Sequence, residues 1–284
     1  MELRINLTKA NKLDVEHELR MNGIDLEPCE FCNYAYYSSN TEEDIERLDC
    51  YKDGKIYLQN FSSMIPPIIM EPHPGENILD MCAAPGGKTT QMACLSNNGA
   101  LITACERDKI RFQKLEYNVK KQNARVNLLR QDATTLNNAL KFDKILLDAP
   151  CSGSGTHEPE RYQSLRMASD VDPFNEYFFK DLRMEHKFGY LYKLNKMQKK
   201  LILKAINILK PGGILIYSTC SVLPEENDGI VKFALDTKKV KLEPIDINKY
   251  NINKLAMINS MEGTICIMPD KYFQGFYVAK LVKI

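Results

Sequence analysis

No apolar run in these 284 residues approaches the roughly 18 that a membrane-spanning helix requires. The nine cysteines fall without regular pairing spacings, which fits a reducing compartment better than a disulfide framework. Charge of one sign is not in excess either. The 38 basic and 37 acidic side chains give a formal net charge of +1, so the chain is not polybasic overall. There is no internal repeat and no low-complexity tract. The opening stretch MELRINLTKANKLDVEHELR is too polar for a secretory signal, so an intracellular protein is expected, cytoplasmic or, in a eukaryote, nuclear.

Metal-binding motifs are equally scarce. Cys29 and Cys32 form a lone CxxC, followed by Cys50, but no second CxxC or His-x-x-x-His completes a zinc site. The expectation is unligated, partly buried thiols and no metal. What the overall charge hides, its distribution shows. Residues 107–130 carry eight Lys or Arg against two acids, and residues 183–204 carry seven against one, with Phe188, Tyr190 and Tyr192 interleaved. Cations beside aromatic rings suit phosphate contact and base stacking, although either stretch alone also reads as a solvated helix face.

From residue 77 onward, strand-like and helix-like segments alternate. NILDMC (77–82), ALITACE (100–106), VNLLRQD (126–132), DKILLDAP (143–150) and ILIYSTC (214–220) are short apolar runs. Helical patterns separate them, across 108–122 and again through Leu201, Ile202, Ala205, Ile206 and Leu209. Buried strands alternating with helices imply a parallel sheet covered on both faces. GTICIMP and GFYVAKLVKI, joined by a short turn, predict a closing antiparallel hairpin. The fold class is therefore α/β, a mostly parallel seven-stranded sheet of Rossmann-like form. Residues 1–52 read as a small helical appendage and 53–284 as the main domain. Segment 153–195 is a long interruption beside the fourth strand, of the kind that is usually functional or disordered.

The stretch LDMCAAPGGKTT runs a strand through small residues and two glycines into a helix. It is neither GxGxxG nor a Walker A, yet such a turn lets a ligand approach the backbone and the amides of a helix N-terminus. Glu106 ends the next strand, 24 residues after Cys82, near the spacing at which an acid binds ribose hydroxyls. Asp132 ends the third strand and suits an adenine amino group. Asp80, Glu106, Asp132 and Asp148 thus end four successive strands, where core packing alone gives carboxylates no reason to be. No triphosphate motif accompanies them, which favours a nucleoside-type cofactor.

Two cysteines also stand at strand ends, Cys151 in KILLDAPCSGSGT and Cys220 in YSTCSVLPEEND. Spacing does not decide which of them attacks a substrate. These two motifs, with LDMCAAPGGKTT, the entry GKIYLQNFSSMIPPIIMEPHPGENILD and the exit FQGFYVAKLVK, resemble the Nop/Sun-type RNA 5-methylcytosine methyltransferases over about residues 53–284.

The resemblance implies a Rossmann-like class I methyltransferase using S-adenosyl-L-methionine. It places Cys82, Ala83, Ala84, Pro85, Gly86, Gly87 and Lys88 along the methionine and sulfonium, Glu106 at the ribose and Asp132 at the adenine. Asp148 lies where cofactor and target base meet, and Arg111 also reaches the cofactor. It further implies that Cys220 is the nucleophile and Cys151 assists product release, whereas the DNA enzymes of this chemistry would point to Cys151 as attacker. Cytosine carbon 5 is a poor nucleophile until a thiolate adds to carbon 6, so the reaction needs one attacking cysteine and some help with release, and the two strand-end cysteines supply both. RNA is the expected partner, tRNA ahead of ribosomal RNA, with the chain acting as a monomer away from membranes. Two rivals remain: an idle RNA-binding protein of the same fold, and a small-molecule or amino-group methyltransferase, which needs no thiol.

Overall fold

The computed structural model describes residues 1–156, 188–258 and 260–284. Their contacts divide the chain into two compact units, residues 1–135 with 247–253 and residues 136–246 with 254–284. Among the described residues no helix is long and apolar enough to cross a membrane.

The first unit begins with strands β1 (Glu2–Ile5), β2 (Glu27–Pro28), β3 (Ala35–Tyr37) and β4 (Ile56–Leu58), interleaved with helices α1 (Lys12–Met21), α2 (Glu42–Glu46) and α3 (Asp49–Lys52). The strands form an antiparallel sheet in the order β2-β3-β1-β4. The expected helical appendage is thus a sheet with three short helices, and it takes in residues beyond 52. Strands of two to four residues are too short to show a period, and Arg4 in the middle of β1 reads as a solvent-facing position. Arg4 is instead fully buried. Leu3, Ile5, Val15, Leu19, Ile45 and Ile56 close a small core between sheet and helices. Asn11 caps α1 by accepting from the Leu13 amide, and Thr41 with Asp44 forms a capping box on α2.

Helix α4 (Phe61–Met70) carries two interior prolines, Pro66 and Pro67, and is buried almost all round. Pro67 has no amide to give the Ser63 carbonyl, which accepts from the Gln59 side chain at 3.1 Å instead. Gln91 likewise donates to the Met64 carbonyl at 3.0 Å. There follow β5 (Asn77–Asp80), α5 (Gly87–Leu95), β6 (Leu101–Cys105), α6 (Lys109–Lys121) and β7 (Val126–Leu129). The three strands are parallel, with Asp80 opposite Ala104 and Cys105 opposite Leu129, so their carboxyl ends lie along one edge.

The second unit contains β8 (Phe142–Asp148), α7 (Phe188–Ile208), β9 (Leu209–Thr219), α8 (Asp228–Asp236), β10 (Val240–Leu242), β11 (Ile265–Ile267) and β12 (Phe276–Lys283). β8 and β9 are parallel, with Asp148 opposite Ser218. β12 runs antiparallel to β9, and β10 and β11 share its other edge, one toward each end. The expected hairpin of β11 and β12 is present. β10 has only three residues, and its VKL gave no strand signal. The basic stretch 183–204 is helical from Phe188, with Tyr190 and Tyr192 exposed. Most of the long interruption, residues 157–187, lies outside the described residues.

Candidate active site

In the first unit, the loop from Met81 to Gly86 joins β5 to α5. Asp80, 1% exposed at the end of β5, accepts from the Thr89 hydroxyl at 2.7 Å, which ties the strand end to the helix. Gly86 caps α5 at φ 109°, a left-handed conformation that a side chain strains. A Cβ there would also stand 3.0 Å from the Leu115 side chain. Arg4 braces the start of the helix from below, donating to the Gly87 carbonyl at 3.1 Å and the Thr90 hydroxyl at 2.8 Å. Lys88 donates to Ser63 at 2.7 Å. Cys82 is partly exposed, and Ala83 and Ala84 are buried against Leu115 and Val119 of α6.

Glu106 and Asp132 follow the next two strands. Glu106 is 4% exposed and accepts from the Asp108 amide at 2.9 Å. Arg111 joins it at 3.6 Å while donating to the Ala84 carbonyl at 2.8 Å, so one guanidinium links the glycine loop to the acid. Burial opposes the charge on Asp132, but hydrogen bonds from Thr134 and the Arg107 guanidinium outweigh it and hold the carboxyl below its ordinary range. Beside them the Cys105 thiol is pushed up to about 12 by burial and is inert at neutral pH. A tight loop bounded by glycine and two strand-end carboxylates suits a ligand with a diol and an exocyclic amine, and so fits S-adenosylmethionine.

In the second unit, Asp148 ends β8 and accepts from the Ser218 hydroxyl at 2.8 Å. Three residues on, the Cys151 sulfur lies 3.2 Å from that of Cys220. The sequence-predicted cysteines are therefore paired, from loops following two parallel strands. The hydrogen bond with Cys220, burial and the nearby Cys220 and Glu226 charges all push the Cys151 thiol up, so it keeps its proton. Both loops are fastened to what lies beneath. Glu226, 1% exposed, accepts from the Ser152 amide at 3.0 Å, the Ser152 hydroxyl at 2.6 Å and the Gln198 amide at 3.1 Å. Gln198, on α7, also donates to the Pro150 carbonyl at 2.9 Å. Asn227 donates to the Ser221 carbonyl and accepts from Thr219.

Glycine closes the second loop. The Gly155 amide donates to the Cys220 carbonyl at 3.0 Å, and its carbonyl accepts from the Gly275 amide at 2.8 Å. A Cβ on Gly155 would fall 2.1 Å from the Gly275 carbonyl oxygen. Glu226, Asn227, Gln198 and the two glycines were not singled out in the sequence. The signal available was the PEEND tail behind Cys220, whose acids resemble an ordinary solvated loop. Cys29 and Cys32 are buried, and burial pushes their thiols up to about 12 and about 11. Among the described residues no group of three or more His, Cys, Asp or Glu could hold a metal ion.

This architecture and site define a Rossmann-like, S-adenosylmethionine-dependent methyltransferase. A crystal structure of NSun6 from Pyrococcus horikoshii with SFG, an analogue of S-adenosylmethionine, matches with a TM-score of 0.78 at 25% identity, covering 99% of this chain and 90% of that one. The family model described as 16S rRNA methyltransferase RsmB/F matches residues 67–177 and 179–282. The chain belongs to this Nop/Sun-type family of RNA cytosine-C5 methyltransferases. It is 34% identical to the tRNA (cytosine(49)-C(5))-methyltransferase of Pyrococcus abyssi, over 99% of this chain and 87% of that enzyme. It is 32% identical to ribosomal RNA small subunit methyltransferase F of Shewanella oneidensis, over 99% of this chain but 56% of that protein.

Proposed function

We propose that the chain methylates carbon 5 of a cytosine in tRNA, with Cys220 as nucleophile, Cys151 as the group that eases release and Asp148 as the acid that orients the base. The observation that carries the reading is the 3.2 Å contact between the Cys151 and Cys220 sulfurs. Asp148, held by Ser218, accepts from the exocyclic amine and stabilises a proton at ring nitrogen 3. That protonation makes carbon 6 electrophilic, and the Cys220 thiolate adds there to form a carbon–sulfur bond. Carbon 5 is then nucleophilic. Cys82 to Lys88, Glu106, Arg111 and Asp132 would hold S-adenosylmethionine, which when bound would supply an electrophilic methyl group at its sulfonium. After transfer, a base takes the carbon 5 proton and the carbon–sulfur bond breaks. The protonated Cys151 thiol donates a hydrogen bond to the departing Cys220 sulfur, lowering the cost of that step.

Cys220→Ser is expected to abolish methylation, and Cys151→Ala to accumulate a covalent protein–RNA adduct visible on a denaturing gel. An adduct that persists without Cys220 and disappears without Cys151 exchanges the two roles. Retention of activity in Cys220→Ala would favour amino-group methylation instead. The tRNA preference draws on the Pyrococcus abyssi relative, which this chain nearly spans. Methylation of an unmodified tRNA transcript, compared with a small-subunit ribosomal RNA transcript, tests it; activity on the second alone makes the chain a ribosomal RNA enzyme. A monomer working inside the cell completes the proposal, and sedimentation with and without RNA checks the monomer.

A further inference from the structure

The first unit contains a cleft of about 620 Å³ that the reaction chemistry does not use. It is lined by Lys9, Lys52, Lys55, Lys120, Lys121 and Tyr117, with Asp53 as its one carboxylate. These residues come from three places: the segment after β1, the end of α3 with the turn that follows it, and the last five residues of α6. Close approach at the meeting point needs a glycine. A Cβ on Gly54 would lie 2.1 Å from the Lys121 carbonyl oxygen. Lys9 spans the same seam, donating to the carbonyls of Asp53 and Lys121.

Nearby carboxylates neutralise only part of the charge. Lys55 pairs with Glu18 at 3.1 Å and Lys52 with Asp49 at 3.7 Å. Among the described residues no ion pair is found for Lys9, Lys120 or Lys121. The Lys121 ammonium sits 3.4 Å from the centre of the Tyr51 ring. Burial, reinforced by Lys9 and partly offset by Glu46, holds it below its ordinary value. A cation in that state gains from an incoming anion. Tyr117 is 62% exposed at the rim, and the Lys121 ammonium also lies 5.8 Å from the centre of its ring. A solvated helix end would explain Lys120 and Lys121 on α6, but not the three lysines brought to them from the N-terminal sheet unit.

The cleft is also separate from the cofactor loop. Arg111, near the start of α6, touches the glycine loop and Glu106, whereas Lys120 lies nine residues on, roughly 14 Å along the helix axis.

We propose that this lysine cleft is a second RNA-binding site, holding backbone phosphates of the substrate away from the target cytosine, with Tyr117 stacking an unpaired base. The assignment rests on RNA being the substrate. It gives the N-terminal sheet a role, contributing three of the five cations.

The test is binding of a fluorescently labelled, unmodified tRNA transcript to the full chain over a range of salt. The double variant Lys52→Glu/Lys120→Glu changes two exposed side chains outside the catalytic and cofactor machinery. It is expected to weaken binding at least about tenfold near physiological salt. The slope of log K against log salt should become shallower by about 1 or more, since each lost phosphate contact removes roughly 0.7–0.9. Tyr117→Ala should weaken binding several-fold with the slope unchanged. Affinity for S-adenosylmethionine, and kcat at saturating RNA, should stay within about twofold of the parent. Unchanged RNA affinity and slope in the double variant would overturn the assignment, as would an equal loss of cofactor binding, or a parent chain that binds no RNA. Binding is read without chemistry. A chain that binds the transcript through these lysines but methylates no cytosine refutes the proposed reaction and leaves the cleft assigned.

Discussion

Glu226 is a buried carboxylate that fastens the loop carrying Cys151. It accepts from Ser152 twice and from Gln198, and Ser152 directly follows Cys151. Glu226→Gln replaces an acceptor oxygen with a donor that faces other donors. A buried donor left without an acceptor costs about 1–3 kcal/mol. The expected outcome is a fall of roughly tenfold or more in the single-turnover methylation rate, with cofactor affinity retained. A rate equal to the parent's would show that the Cys151 loop holds its position without the carboxylate. The strand-end acids were legible in sequence because a carboxylate after an apolar run has no packing reason to be there. Glu226 was not, since a Glu between Pro224 and Asn227 has the look of a solvated loop.

Among the elements, the joint between β1 and α5 depends on Arg4. The side chain is fully buried, hydrogen-bonded to Gln59, Gly87 and Thr90, and stacked 5.0 Å from the Tyr57 ring centre. Arg4→Met keeps the apolar volume and removes three charged hydrogen bonds, so a loss of about 2–4 kcal/mol in a denaturant melt is expected. S-adenosylmethionine affinity should fall with it, because the same guanidinium fixes the first turn after Gly86. The parallel strands were readable as apolar runs punctuated by helices, and the final hairpin as two runs joined by a short turn. The N-terminal sheet was not, because its strands are shorter than one detectable period and its central strand hides a cation. Tertiary contact with α5 decides that burial, and no local pattern carries it.

For the molecule as a whole, buried thiols set an alkaline limit. Burial raises Cys29 and Cys105 to about 12, and Cys32 and Cys50 to about 11, from an ordinary value of 9.0. The folded state therefore keeps protons that the unfolded chain gives up. Their contribution is complete below about pH 9 and is lost as pH rises toward 11–12. Thermal melts are expected to show Tm falling steadily from pH 9 to 11. The fall should be smaller in Cys29→Ala/Cys32→Ala than in the parent; an identical fall in both would place its origin elsewhere.

The contact of Gly155 with Cys220 on one side and Gly275 on the other is made of peptide groups alone. Three distant stretches of chain meet there with no side chain between them to yield. Such a joint has no adjustable part, so displacement at one member is handed on to the others nearly undiminished. The closing strand β12 begins one residue after Gly275, and so acts as a mechanical backstop for the Cys220 peptide. A graft or truncation at the carboxyl terminus is in effect an edit of the Cys220 loop.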